Sequence, residues 1–298
     1  MSNARFALPV VVLLLAAGCA APAAPPSGSG STPPSASASP SPAPTVAGID
    51  HATGHGDVLL RLEQGGGFIG PEWFVTNAPI FTLYGDGTII FHNDRESPPE
   101  PTDGVARNLP FRTARLSEDQ IQSLLDSAIN EGGLGVARGL YDPGNIADAG
   151  STIFTIHAGG VEKTVSVVAL GMQDQPGPDS AILTALARLA DRLRQLDEGG
   201  LYATEKYMPD RYRALLWEQG FASETPPRAW PWPELKVSDF MAPAGDGPTF
   251  PRRVMSPAEA AKLGIPNIEG GFQPLPMKGP DGKTYSFALR PLLPDEAA

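Results

Sequence analysis

Cysteine is nearly absent from this chain, because Cys19 is the only one among its 298 residues. A single thiol excludes a disulfide within the chain, so packing alone must stabilise the part that folds. The thiol stands where an apolar run gives way to alanine and proline, within MSNARFALPVVVLLLAAGCAAP. A cysteine at this position needs an explanation other than folding.

Basic side chains and long apolar runs are also scarce. The chain has 22 Lys and Arg against 33 Asp and Glu, a net charge of −11, and it shows no basic patch. This composition excludes nucleic acid as a partner, since binding a polyanion needs clustered positive charge. The N-terminal apolar run from Phe6 to Ala17 is well short of the roughly 20 residues needed to cross a bilayer. With Arg5 in front of it, the run is typical of a signal peptide.

The residues directly before Cys19, Ala16-Ala17-Gly18, resemble the lipobox of bacterial lipoproteins. In that family the cysteine sulfur receives a diacylglyceryl group, and cleavage just before it makes the lipidated cysteine the new N-terminus. The family usually has leucine three residues before the cysteine, where this chain has Ala16. The resemblance implies a signal peptide over residues 1–18 and lipid anchoring through Cys19 at the extracytoplasmic face of the cell membrane. Two acyl chains on one cysteine are enough to hold a protein stably at a membrane. Secretion after cleavage at an A-x-A-like site and an uncleaved anchor are the alternatives.

Residues 19–49 are predicted to form a disordered tether. From Ala20 to Gly48 the chain uses only Ala, Pro, Ser, Gly, Thr and one Val. Without charged, aromatic or large aliphatic side chains, this segment cannot bury enough apolar surface to offset the entropy of ordering. It would therefore act as a spacer that holds a folded body away from the membrane.

Residues 50–198 are predicted to form an α+β domain. The turn signals between apolar runs are Asp86-Gly87 and Gly159-Gly160. The helix start signals are Ser117, with Gln120 three residues on, and Asp179 or Ser180. Strands paired in hairpins imply an antiparallel sheet, with the two helices packed on one face.

A second resemblance concerns the same part of the chain. It runs from FTLYGDGTIIF through LSEDQIQSLLDSAIN and LYDPGNIADAGSTIFTIHAGGVEKTV to a helix ending near Leu196. This pattern resembles a bacterial domain of unknown function that occurs in secreted and lipid-anchored proteins. The whole chain also resembles uncharacterised actinobacterial lipoproteins that share its GGF…PEW and YGDG stretches. The resemblance implies the α+β fold and carries no catalytic residues to transfer.

Residues 199–298 are predicted to be an irregular C-terminal extension or a small second domain. Their local signals are a short helix after Pro209 with Tyr212, Leu215 and Leu216 directed inward, a helix start at Ser256-Pro257, and a closing hairpin around Asp281-Gly282. An extension packed on the first sheet is favoured, because the segment shows no long helix and few strands of its own.

The sequence offers weak signals for metal binding and none for catalysis. His51 and His55 have the i, i+4 spacing of a zinc pair, but a glycine lies between them and no further thiol is left as a ligand. Asp142 and Asp148 bracket a Gly-containing loop that suits Ca²⁺, although Asx turns explain the same residues. No GxSxG, HExxH, P-loop or EF-hand spacing occurs, so no cofactor, metal or catalytic residue is predicted. His92 lies at a predicted strand end and His157 within a predicted strand, and each is expected to be a surface histidine or one with its hydrogen bonds satisfied in the sheet.

Aromatic residues in loops give the strongest functional signal. Trp73 and Phe74 lie in a segment flanked by Gly and Pro, and Trp230 and Trp232 lie in a Pro-rich one. Such rings stack on sugars or anchor a protein partner, which makes these four the candidate ligand-binding residues. The alternative is that they cover a sheet edge or fill the seam between the body and the C-terminal region.

These features predict a lipid-anchored extracytoplasmic lipoprotein that binds and does not catalyse. The expected partners are the membrane, through Cys19, and a cell-wall glycan or an envelope protein. The alternative function is a cell-envelope hydrolase. Two carboxylates about 5 to 9 Å apart in one pocket would favour that alternative.

Overall fold

The structure is a computed structural model. The residues that it describes are 48–67, 70, 76–93, 96–101, 103–144, 146–172, 177–219, 225–243 and 250–296. Cys19 and most of the predicted tether lie outside these residues. Within them, no helix is long and apolar enough to cross a membrane.

Hairpins build an eight-stranded sheet, called sheet A. Its strands are β1 (Val58–Gly66), β2 (Phe81–Tyr84), β3 (Thr88–Phe91), β4 (Arg112–Arg115), β5 (Leu140–Tyr141), β6 (Gly150–Ala158), β7 (Val161–Val168) and β8 (Glu205–Lys206). Their order across the sheet is β5-β7-β6-β1-β2-β3-β4-β8. Neighbouring strands are antiparallel except β5 and β7, which pair in parallel.

The turn between β2 and β3 shows why the predicted hairpins form. Asp86 accepts a hydrogen bond from the Thr88 amide at 2.9 Å, and Gly87 takes a φ of 87°, which side chains other than glycine's rarely adopt. A Cβ at Gly87 would also lie 2.6 Å from the carbonyl oxygen of Leu116. Two glycines with positive φ, Gly159 and Gly160, likewise join β6 to β7. Both predicted hairpins are confirmed.

Two helices cover one face of sheet A. Helix α1 (Glu118–Asp126) begins with the predicted capping box, in which the Gln120 side chain accepts from the Ser117 amide at 2.9 Å. A π-helical turn, Ser127–Glu131, continues it. Helix α2 (Ser180–Arg194) follows the second hairpin. Their apolar sides share one core with the strands, whose members include Leu62, Leu83, Leu125, Phe154, Leu186 and Leu193. The predicted α+β fold is confirmed.

Residues 199–298 are more regular than their sequence indicates, because they contain a second sheet, called sheet B. Its strands are β9 (Tyr212–Glu218), β10 (Arg228–Ala229), β11 (Arg252–Met255), β12 (Phe272–Lys278) and β13 (Thr284–Pro291). Their order is β10-β12-β13-β9-β11. The hairpin between β12 and β13 turns at Asp281-Gly282 as predicted. A short helix, α3 (Pro257–Ala261), begins with the predicted cap at Ser256.

The helix predicted after Pro209 is instead the central strand β9, which is a correction. Tyr212, Ala214 and Leu216 alternate into the core of sheet B, as the period of a strand requires. Strands β13 and β11 pair with β9 on either side. A short apolar run such as YRALLWE is compatible with the period of a helix and with that of a strand. It forms a strand here because β11 and β13 provide hydrogen-bond partners for its backbone.

The C-terminal segment lies against the face of sheet A that the helices leave open. Leu293 packs with Tyr84, Ile90 and Phe111 in a third, small cluster. Because side chains alternate along a strand, Tyr84 points away from the helix side, to which Leu83 points. The hydroxyl of Tyr84 donates to Asp295 at 2.7 Å. We call this layer between sheet A and the C-terminal segment the seam.

Candidate functional site

A cleft of about 470 Å³ opens where β1 and β3 end and β2 begins. Sheet A contributes Gln64 and His92, and sheet B closes the other side with Gln273 and Arg290. The segment that precedes β4 supplies further lining residues, among them Asn108. The volume is in the range of small-ligand sites, which is about 300 to 1,000 Å³. The cleft thus draws on parts of the chain more than 200 residues apart.

His92 supplies a buried ring nitrogen to the cleft. Its ring stacks on Phe111 with the centroids 3.9 Å apart. Its Nδ1 is buried and has no hydrogen-bond partner among the described residues. Burial lowers the pKa of His92 to about 4, so the ring is neutral at pH 7. The predicted strand-end position is confirmed. The expectation of a surface or satisfied histidine is wrong, because Nδ1 is buried and has no partner among the described residues.

Arg290 supplies a buried donor. Its side chain is 4% exposed, and its terminal nitrogens donate to Glu296 and to the carbonyl oxygen of Pro291. The remaining donor, Nε, is buried and has no acceptor among the described residues. An unsatisfied buried donor costs about 1 to 3 kcal/mol, and a ligand acceptor that reached this nitrogen would recover that cost.

Arg107 forms part of the wall, and its charge is already neutralised. Its guanidinium donates to both carboxylate oxygens of Asp103, at 2.9 and 2.8 Å, and its Nε donates to the carbonyl oxygen of Pro266 at 2.7 Å. The hydrogen bonds from Arg107 lower the pKa of Asp103 to about 2. Arg107 therefore holds two chain segments together and leaves no unbalanced charge in the cleft.

Four carboxamide side chains (Gln64, Asn77, Asn108 and Gln273) also line the cleft. Asn77 donates to the backbone carbonyl of Gln64 at 2.7 Å, and Gln273 donates to the side-chain oxygen of Asn108. Each carboxamide offers both a donor and an acceptor. None of the described residues that line the cleft is Asp or Glu. The described lining can therefore form many neutral hydrogen bonds, and it includes no carboxylate pair for acid–base chemistry.

Two further acidic groups near the cleft, Asp295 and Glu296, lie in the seam, where arginines bind them. Asp295 accepts from Arg61 at 2.7 Å and from Tyr84. Burial raises the pKa of Asp295, but these hydrogen bonds outweigh it and hold the pKa below the usual value. The pKa of Glu296 is lowered in the same way, with Arg290 outweighing burial. Both carboxylates are thus ionised near neutral pH and unsuited to act as general acids.

Two of the four predicted ligand-binding residues lie in the aromatic core of sheet B. Trp232 is 1% exposed and packs against Phe287 with the centroids 5.4 Å apart. Trp230 is half-buried, meets Trp232 edge to face at 5.2 Å, and donates to the carbonyl oxygen of Leu235. Trp232 is therefore a core residue and not a ligand-binding one, because its ring is not accessible. Trp73 and Phe74 lie outside the described residues, so their role stays a prediction.

The metal-binding candidates hydrogen-bond different partners. His51 hydrogen-bonds Glu118 at 3.1 Å, whereas His55 hydrogen-bonds Asp86 at 2.9 Å. Asp142 accepts from the Gly144 amide at 2.8 Å, which is an Asx turn. Among the described residues, no three His, Cys, Asp or Glu side chains gather in a way that could hold a metal ion.

Sequence reasoning missed the residues that line the cleft. Arg290 and Gln273 lie on strands whose sequence carries no motif of a binding site. His92 directly follows a strand, and nothing in the neighbouring sequence marks it as a binding residue. No local spacing signals them, because they meet only when the two sheets come together. Comparisons of this chain with protein-family models, with curated proteins and with solved structures find no match.

Proposed function

We propose that this chain is a membrane-anchored extracytoplasmic lipoprotein whose folded part binds a cell-envelope ligand without transforming it. The anchoring part rests on the lipobox resemblance that ends at Cys19. The binding part rests on the cleft between sheets A and B. The membrane and a cell-wall glycan or envelope protein are the partners of this function.

One observation carries the binding part. The described lining of the cleft combines one buried guanidinium N–H donor, one buried imidazole nitrogen and four carboxamides with no carboxylate. Glycoside hydrolysis uses a pair of Asp or Glu side chains about the scissile bond, and this cleft lacks them among its described residues. A site that offers hydrogen bonds without an acid or a base supports recognition rather than turnover.

Lipid attachment is tested by labelled-palmitate incorporation in cells that express the wild type or Cys19→Ser. We expect label in the wild type and none in the variant, since the cysteine sulfur is the acceptor. Equal labelling of both chains would contradict attachment at Cys19. A Ser117→Ala variant, which keeps the sulfur, is a suitable control and should be labelled like the wild type.

Ligand binding is tested with the purified full chain in detergent. The chain is incubated with small molecules released from the envelope, washed and extracted, and mass spectrometry identifies what it retains. We expect wild type to retain a compound unchanged and Gln273→Tyr, which puts a ring into the cleft, to retain none. Lys278→Tyr, at the exposed end of the same strand, is the matched control. Equal retention by Gln273→Tyr, or chemical change of the retained compound, would contradict the proposal.

A further inference from the structure

We infer that the cleft between sheets A and B takes a neutral, hydroxyl-rich ligand of the saccharide class. This inference rests on the proposed binding function and adds the chemistry of the ligand to it. Three properties of the cleft carry it: neutralised charge, mixed donors and acceptors, and apolar surface between them.

The first property is charge. Arg107 binds Asp103 through two hydrogen bonds, and Arg290 is paired with Glu296. Arg194, the third arginine of the lining, lies 3.9 Å from Asp191. Each of the three arginines in the described lining therefore has a carboxylate beside it. An anionic ligand would meet no unpaired arginine among these residues, and it would compete with carboxylates that are already in place.

The second property is the mixture of donors and acceptors. The four carboxamides of the lining (Gln64, Asn77, Asn108 and Gln273) each carry a donor and an acceptor. The Nε of Arg290 adds a buried donor that lacks an acceptor among the described residues, and the Nδ1 of His92 adds a buried ring nitrogen without a partner there. A hydroxyl group donates and accepts at once, so a polyhydroxyl ligand satisfies both kinds of group. A carboxylate or phosphate only accepts.

The third property is the apolar surface. Leu109, Pro98 and Pro291 line the cleft alongside the stacked pair of His92 and Phe111. Ligand sites combine such surface with a few placed polar groups, the former excluding water and the latter setting orientation. A sugar ring presents both features, since its C–H faces are apolar and its rim carries hydroxyls.

The test is a titration of the purified full chain, followed by NMR or calorimetry, with three disaccharide probes. They are cellobiose and N,N′-diacetylchitobiose, which are neutral, and digalacturonic acid, which is anionic. We expect at least one neutral probe to bind more tightly than the acid. We also expect its Kd to change less than about twofold between low and high salt, because no ionic contact is screened.

Two variants separate ligand recognition from folding. His92→Phe keeps the ring stack on Phe111 but removes Nδ1, so affinity for the neutral probe should fall about tenfold, which is one lost hydrogen bond. Stability should stay level or rise, because an unsatisfied buried nitrogen is gone. His157→Phe, on an exposed histidine of β6, should change neither. A parallel loss of stability and affinity in His92→Phe would indicate a merely structural role and overturn the assignment.

The outcomes distinguish this inference from the proposed function. If the envelope ligand is retained but digalacturonic acid binds more tightly and weakens with salt, the cleft is an anion site and the saccharide inference fails alone. If all three probes fail while a peptide is retained from the envelope, the ligand class is wrong and the binding function stands. If the chain retains no compound from the envelope, the proposed binding function fails, and the saccharide inference that rests on it fails with it.

Discussion

The two faces of sheet A are covered in physically different ways. On one face, α1 and α2 bury aliphatic and aromatic side chains together with Leu62 and Phe154. On the other, the seam buries charged and polar groups, in which Arg61 and Tyr84 hydrogen-bond Asp295. Burial of apolar area stabilises in proportion to area, whereas burial of an ion pair costs desolvation that roughly cancels its attraction. The helix face therefore supplies stability, and the seam determines where the C-terminal segment lies.

The seam also positions the cleft. Glu296 binds the terminal nitrogens of Arg290, whose Nε remains as the buried donor of the site. The half-buried Arg213 lies 3.7 Å from the same carboxylate. Burial, together with the charge of Arg290, lowers the pKa of Arg213 to about 10. An interaction with little net stability thus fixes a side chain that the proposed ligand meets.

The largest expected effect is in the helix-covered core. Phe154→Ala removes a ring that is fully buried, and the cavity should lower the free energy of unfolding by about 3 to 5 kcal/mol. Thr155→Ala, on the next residue and the opposite face, should change it by less than about 1 kcal/mol. Urea denaturation measures both. Equal effects would show that apolar burial on the helix-covered face does not stabilise the protein more than the opposite face does.

The seam should respond differently to single and double substitution. Asp295→Leu leaves Arg61 largely buried without its carboxylate and should lower the free energy of unfolding by about 2 to 3 kcal/mol. Arg61→Met together with Asp295→Leu should recover most of that loss, because the unpaired charge is gone. A double-mutant cycle in urea gives the coupling. Additive losses would mean that the ion pair itself stabilises the seam.

The free energy of unfolding should depend on pH through His92, which stacks on Phe111 of the seam. Its folded pKa is lowered to about 4 from an ordinary 6.5, so the unfolded chain binds more protons between these values. The contribution of this group to stability is therefore full above pH 6.5 and is lost as pH falls to 4, by on the order of 3 kcal/mol. His92→Phe should flatten that part of a urea-midpoint profile, and His157→Phe should not. An unchanged slope in His92→Phe would contradict this assignment.

The smallest expected effect is at the helix start. Ser117→Ala removes the cap of α1 without touching the core and should cost about 1 kcal/mol. Ser256→Ala, at the cap of α3 beside sheet B, offers the matched comparison. Thermal unfolding measures both. If Ser117→Ala were as damaging as Phe154→Ala, the helix layer would depend on its ends and not on its packing.

The success of the sequence predictions depended on how local the signals were. The capping box at Ser117, the N-cap at Ser256 and the glycine turns at Gly87 and Gly282 form between residues two to three positions apart, so the local sequence already contains both partners. Strand β9 was misread because its apolar run suits either period, and its partners are β11 and β13. The prediction that Trp232 binds a ligand is wrong because the local sequence, a tryptophan between prolines, does not show whether distant residues bury the ring.

The amino-acid sequence by itself determines the glycine-turn hairpins, the helix caps at Ser117 and Ser256, the α+β class, and the expectation of a lipidated Cys19 followed by a tether, since each depends on neighbouring residues. The tertiary structure alone decides that residues 199–298 form a sheet and that Trp232 is buried. It also decides that Arg290, His92 and Gln273 share one cleft. The physical reason is that these groups acquire their burial and their missing partners only when two sheets from distant parts of the chain pack together.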